Sequence, residues 1–234
     1  MIRFKTMDSS TANQSVLETT IGDFPLEECR IQLPDREISI LHVAAMLSHT
    51  DESHFLLETS NPLPYGIALW ASTIALGQEI VSRAKEFSGK RVLELGAGTG
   101  MPGIIAASLP VEKVVQTDKN NLAMSLCKRN CELNAVKTIE HRLEDWTNWN
   151  DTDKYDWIIG SDILYSMDMH PYLLRIFESN LSPDGRVLIS DPFRGGSITL
   201  FESMEANGWS IKISKWSIGE DEKPRFIGIF ELSK

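Results

Sequence analysis

The tightest constraint on this chain is a run of glycines set directly behind a short apolar stretch. Val92-Leu93-Glu94-Leu95 reads as a buried strand, and Gly96, Gly98, Gly100 and Gly103 follow within eight positions before an apolar helical segment. Glycine is needed where the backbone takes positive φ or must touch a ligand closely. A strand running into clustered glycines and then a helix puts a ligand at the carboxyl end of that strand, near the helix N-terminus. A tight turn with no ligand gives little reason for four glycines.

From Lys90 onward short apolar runs alternate with helical patterns. Strands are expected at residues 91–95, 113–117, 138–143, 155–160 and 186–190, with Ser182-Pro183-Asp184-Gly185 as a turn. Helices are expected from the glycines through Leu109 and at residues 120–134, 169–180 and 198–207. Two final strands, 209–217 and 225–232, are joined by a segment too short for a parallel crossover and must pair antiparallel. Alternating βα units predict an α/β fold, a mostly parallel sheet with helices on both faces. Upstream, residues 1–20 read as loosely ordered, strands are expected between 21 and 43 around the turn Leu33-Pro34-Asp35-Arg36, and 44–59 is ambiguous. Residues 61–66 read as a rigid loop leading into a helix at 67–83. The expected division is an N-terminal extension with a β hairpin, 1–60, and a main domain, 61–234.

Two ligand classes fit the glycine loop. Residues 98–103 match the dinucleotide fingerprint G-x-G-x-x-G, and Asp118 lies twenty residues past Gly98, the spacing at which an acid meets a ribose hydroxyl. On that match alone, a nicotinamide-dependent oxidoreductase stays open. The longer string Glu94-Leu95-Gly96-Ala97-Gly98-Thr99-Gly100 resembles motif I of the class I methyltransferases, which use S-adenosyl-L-methionine. The resemblance implies a Rossmann-like, doubly wound, seven-stranded sheet with an antiparallel C-terminal strand, and Asp118 as the acid on both ribose hydroxyls. A carboxylate suits a diol because it accepts two hydrogen bonds at once. Asp118 also stands where it could cap the next helix. Asp145 and Trp146 follow the third strand, where that class often carries an acid for the adenine amino group and an apolar residue for its ring.

Ser161-Asp162-Ile163-Leu164-Tyr165 follows the fourth strand, and an acid and an aromatic at i and i+3 share a side if a helical turn begins there. This D-x-x-Y string is similar to that of the family 16 protein lysine methyltransferases. Leu63-Pro64-Tyr65-Gly66-Ile67-Ala68-Leu69-Trp70 resembles the same family's segment in which a Trp helps line the pocket. Asp191-Pro192-Phe193-Arg194 is similar to the D-P-x-R stretch of the branch acting on the electron-transfer flavoprotein β subunit. The resemblance implies methyl transfer to a lysine side chain of a protein substrate. It implies Asp162 and Tyr165 at the reacting end, and Trp70, Glu94, Gly96, Ala97, Gly98, Thr99, Gly100, Asp118, Asp145, Trp146 and Asp162 around the cofactor. A small-molecule acceptor or another N-methyl transfer on the same fold is the alternative.

A formal net charge of −10 makes the chain a poor candidate for general nucleic-acid binding, which needs clustered Lys and Arg, and fits a basic protein partner. No apolar run reaches the roughly 18 residues of a membrane helix, and the first twenty residues lack a secretory pattern, so a cytoplasmic location and no membrane partner are expected. No metal is expected. The three cysteines, Cys29, Cys127 and Cys131, match no zinc or redox spacing, and His42, His49, His54, His141 and His170 form no motif.

Overall fold

The computed structural model describes residues 3–6, 16–19, 22–46, 65–218 and 224–234. Among the described residues seven short strands precede the main sheet, the first six being β1 (Arg3–Thr6), β2 (Val16–Thr19), β3 (Gly22–Pro25), β4 (Glu27–Gln32), β5 (Glu37–His42) and β6 (Ala45–Met46). β4 and β5 form the expected hairpin around residues 33–36, and β1 adds to it antiparallel in the order β1-β4-β5. β2 pairs with β3. The expectation of loose order over residues 1–20 is therefore corrected at 3–6 and 16–19. Those strands carry little periodicity of their own, and their partners along the chain order them. The ambiguous stretch lies largely outside the described residues, as do residues 61–64 of the loop expected at 61–66.

The helix expected at 67–83 starts later. A single 3₁₀ turn (Tyr65–Ile67) and β7 (Leu69–Trp70) come first, and α1 spans Ala71–Ser82. β7 pairs parallel with β6, and the Val43 and Leu69 amides donate to Ile67 and Ala44 carbonyls, drawing the chain out of the helix.

The main sheet follows in βα order: β8 (Arg91–Leu95), α2 (Met101–Ala107), β9 (Lys113–Asp118), α3 (Asn121–Leu133), β10 (Ile139–Leu143), β11 (Tyr155–Ser161), α4 (His170–Asn180), β12 (Leu181–Asp191), α5 (Gly195–Ala206), β13 (Ser210–Ile218) and β14 (Arg225–Ser233). Its seven strands lie in the order β10-β9-β8-β11-β12-β14-β13. The first five are parallel, and β14 is antiparallel to both its neighbours. The last strand thus slots between β12 and β13 and does not add at the edge. β14 is buried along nearly its whole length, whereas β13 is mostly exposed, so burial selects the apolar strand for the inner place. The turn expected at 182–185 is absorbed into β12 as a bulge. Tyr155 faces Leu181 and Trp157 faces Arg186, so one residue of β11 opposes four of β12.

Apolar side chains fill both faces of the sheet. One cluster joins α1 and α2 to the sheet through Ile74, Leu76, Ile80, Met101, Ile104, Ile105, Val92 and Ile159. The other joins α4 and α5 to the opposite face through Leu173, Ile176, Phe177, Phe201, Leu93, Ile158 and Phe230. The N-terminal hairpin is fastened to α3 by two asparagines that imitate a strand partner. Asn130 accepts from the Leu41 amide and donates to the Leu41 carbonyl, at 2.8 and 3.0 Å, and Asn134 does the same for Ser39 at 2.8 and 2.7 Å. Both bond the open edge of β5. No helix of the described residues is long and apolar enough to cross a membrane.

Candidate active site

The parallel strands all end on one side, and there a cavity of about 430 Å³ opens between the loops after β8, β9, β10 and β11. The loop after β8 forms its floor. Gly98 has φ of +55°, and a Cβ there would lie 2.9 Å from the Gly66 carbonyl oxygen. Gly100 has φ of +80°, and a Cβ there would lie 2.5 Å from Cys127 Sγ. Both positions favour glycine, and at Gly98 the backbone itself forms the cavity wall. Gly96, Ala97, Gly98 and Thr99 line the cavity.

Glu94 and Gly100, both expected at the ligand, are not among the lining residues. Glu94 is 1% exposed and sits behind the loop, where its Oε2 accepts from the Gly103 amide (3.1 Å) and Gln116 Nε2 (2.6 Å). It braces the loop from within, and burial pushes its proton affinity up, to a pKa of about 8.

Asp118 ends β9 and lines the cavity. Its Oδ2 accepts from the Gly98 amide (3.1 Å) and its Oδ1 from the Asn120 amide (2.9 Å). Burial raises its pKa, and the two amide bonds oppose that rise. The alternative role as helix cap belongs instead to Asn120, whose side chain accepts from the Leu122 and Ala123 amides. Each Asp118 oxygen holds one backbone N–H and keeps further acceptor capacity toward the cavity.

Asp145 and Trp146 form a third wall. Asp145 caps the 3₁₀ turn at residues 146–148 by accepting from the Thr147 amide, a bond that lowers its pKa. Trp146 packs against the core and borders the cavity; a Cβ on Gly96 would meet its ring at 3.4 Å. Trp70 closes the opposite side, its Nε1 donating to the Tyr65 carbonyl at 3.0 Å.

The helical turn under which Asp162 and Tyr165 would share a side does not form at 162–165. Asp162 takes a left-handed φ of +52°, its amide donates to the Ser190 carbonyl, and the next helical residues are at 167–169. Leu164 turns into the core, buried Ile163 packs in the core at the cavity wall, and Asp162 and Tyr165 still reach the cavity. Asp tolerates positive φ better than most residues. Arg194 grips Asp162 with two bonds, Nε to Oδ1 at 2.9 Å and Nη2 to Oδ2 at 3.1 Å. The clamp is set by Asp191, which accepts from the Arg194 amide and Ser197 Oγ. Burial raises the Asp162 pKa and Arg194 counters it. Tyr165 is held protonated, its pKa raised by burial and by the carboxylates of Asp118 and Asp162.

The cavity adds wall residues to which the sequence motifs assigned no role. Tyr65 stands beside Trp70, with ring centroids 6.2 Å apart. Thr73 of α1 and Ser161 of β11 share a hydroxyl hydrogen bond of 3.0 Å in the wall. Their pairing joins positions 88 residues apart, and no local spacing encodes it.

A βα sheet with an inserted antiparallel seventh strand, opening its glycine loop and acids into one cleft, defines the Rossmann-like methyltransferase class. Ribosomal protein L11 methylase from Lactobacillus delbrueckii subsp. bulgaricus shares this fold, with a TM-score of 0.55 and 24% identity over 76% of this chain and 92% of that one. Within the class, this chain belongs to the lysine methyltransferase family, whose model matches residues 49–205. A protein N-lysine methyltransferase, METTL21A of Xenopus tropicalis, is 33% identical over 54% of this chain and 60% of its own length. The histone-arginine methyltransferase METTL23 of Xenopus laevis is 32% identical over 48% of this chain and 50% of its own. EEF1A lysine methyltransferase 3 of Xenopus tropicalis is 29% identical over 80% of this chain and 87% of its own. The chain thus spans only half to three fifths of the first two relatives' length.

Proposed function

We propose that this chain uses S-adenosyl-L-methionine to methylate a lysine side chain of a protein substrate. One observation carries the reading: the glycine loop, Asp118, Asp145, Trp146 and the Asp162–Tyr165 edge all line a single cleft. The donor set fits the cofactor. Asp118 offers two acceptor oxygens suited to ribose hydroxyls, and Asp145 and Trp146 offer an acceptor and a π-face suited to adenine. Gly96, Ala97, Gly98 and Thr99 provide a close-fitting wall, with Glu94 and Gly100 as supports beneath it. When bound, the cofactor supplies an electrophilic methyl on a sulfonium.

The protein's part is alignment and proton control. Orienting two reactants in line is worth about 7–11 kcal/mol. A substrate lysine, with an ordinary pKa of about 10.4, must arrive neutral, and contact with Trp70, Tyr65 and Tyr165 at the mouth favours the uncharged amine by desolvation. Tyr165 keeps its proton and acts as a hydrogen-bond partner. Asp162 is charge-balanced by Arg194 and orients an amino group through its remaining lone pairs. In this reading residues 61–234 are the transferring unit and 1–60 an extension fastened to it through β5, in a cytoplasmic protein of net charge −10 that favours basic partners.

The test is calorimetric titration with S-adenosylhomocysteine and with NADH, then labelled cofactor added to cell lysate. Binding of the first ligand alone and methyl-lysine in hydrolysed protein are expected. NADH binding without homocysteine-nucleoside binding overturns the cofactor. Label confined to small molecules, or recovered as methyl-arginine, overturns the acceptor.

A further inference from the structure

Behind the glycine loop, three soft donors from two elements converge. Cys127 and Cys131 lie one turn apart on the buried side of α3, and His141 stands opposite on β10, the edge strand of the sheet. The two sulfurs and an imidazole nitrogen all lie within 4.8 Å of one another. Cys131 Sγ is 3.3 Å from His141 Nε2. Gln116 of β9 brings a fourth donor, its Oε1 lying 3.1 Å from Cys127 Sγ and 3.6 Å from Cys131 Sγ.

We propose that Cys127, Cys131, His141 and the Gln116 amide oxygen form a binding site for a soft divalent cation of the zinc class. Zinc binds sulfur at about 2.3 Å and nitrogen at about 2.0–2.1 Å in a tetrahedron, which sets neighbouring donor atoms roughly 3.4–3.8 Å apart. The three contacts at 3.1, 3.3 and 3.6 Å are within a few tenths of an ångström of that spacing, and the remaining separations among the two sulfurs and the imidazole nitrogen are at most 4.8 Å, so closure draws these side chains together without moving the backbone elements apart.

The fourth donor is fixed in place before any ion arrives. Gln116 Nε2 donates to Glu94 Oε2 at 2.6 Å and to the Gly100 carbonyl at 2.8 Å. With its N–H groups committed there, its oxygen must face the sulfurs. A set of two thiols, one imidazole and one amide oxygen selects zinc-like cations; magnesium and calcium require more oxygen ligands than the site offers. Half-buried His141 at the sheet edge provides the way in. On binding, two metal–sulfur bonds, one metal–nitrogen bond and one metal–oxygen bond to Gln116 form, the bonds from the ion to its waters break, and each thiol still carrying its proton loses it to solvent. No electron changes hands. The spacing of the cysteines alone concealed the site, because its third ligand comes from a different strand.

The experiment is titration of the reduced, chelator-treated full chain with Co²⁺, followed by displacement with Zn²⁺. Expected are a thiolate-to-cobalt absorption band and tetrahedral visible bands that saturate at one equivalent and fade on adding Zn²⁺, with protons released as the ion binds. Cys131→Ser and His141→Gln each lower the affinity at least about tenfold, while Cys29→Ser, outside the cluster, leaves it unchanged. His141→Gln carries the test if the buried serine variant does not fold. No thiolate band at one equivalent, or wild-type affinity in both variants, overturns the site. Neither readout depends on methyl transfer, so failure here leaves the proposed activity standing.

Discussion

Replacing Glu94 with Gln should make the protein more resistant to alkaline pH. The carboxyl is fully buried, and in the folded chain it holds its proton up to a pKa of about 8, against an ordinary value of 4.5. In the unfolded chain it ionises near that ordinary value. Between the two, the folded state binds a proton that the unfolded state has lost, so stability falls as pH rises through this window. Each pH unit spent inside it costs about 1.4 kcal/mol, so from pH 5.5 to 7.5 the wild-type chain loses roughly 2–3 kcal/mol through this one group. Gln cannot ionise, and its amide oxygen can still accept from the Gly103 amide and Gln116 Nε2, the two bonds that Glu94 Oε2 receives. The assay is urea denaturation followed by tryptophan fluorescence, for both proteins, at both pH values. Groups common to the two proteins cancel in the difference. The variant should gain roughly 2–3 kcal/mol on the wild type as pH rises from 5.5 to 7.5. Parallel losses in the two proteins would refute the claim that Glu94 is protonated in the fold.

Asp118→Ala should weaken S-adenosylhomocysteine binding by roughly 1.5–3 kcal/mol, the value of hydrogen bonds to a charged group, and calorimetry on the folded variant measures it. Asn130→Ala removes bonds to the Leu41 amide, the Leu41 carbonyl and the Thr99 carbonyl at 2.8, 3.0 and 2.9 Å, so it should cost about 2–4 kcal/mol in urea denaturation. Gly100→Ala should destabilise by about 1–3 kcal/mol, from positive φ and from contact with Cys127 Sγ. Adding Cys127→Ala should restore only the contact part, as thermal melts would reveal.

The order of the elements and the loop at the heart of the cleft are written in local stretches of the chain. Strands β8, β9, β10 and β11 and helices α2 to α5 fall within a few residues of their expected positions, because each carries its own apolar period and its own turn residues. The glycines at 96, 98 and 100 were legible for the same reason: strand, loop and helix N-terminus are contiguous in the chain. What contacts between distant residues decide was not legible. The slot taken by β14 depends on which of two neighbouring strands is apolar enough to be buried on both faces. The left-handed turn at Asp162 depends on a carbonyl from β12 and a guanidinium 32 residues away. The exchange of the cap role from Asp118 to Asn120 leaves the aspartate facing the cleft, a choice made by the Gly98 amide across the loop. Local periodicity records only what a segment prefers alone; which side chains meet at the cleft is set when remote segments are packed together.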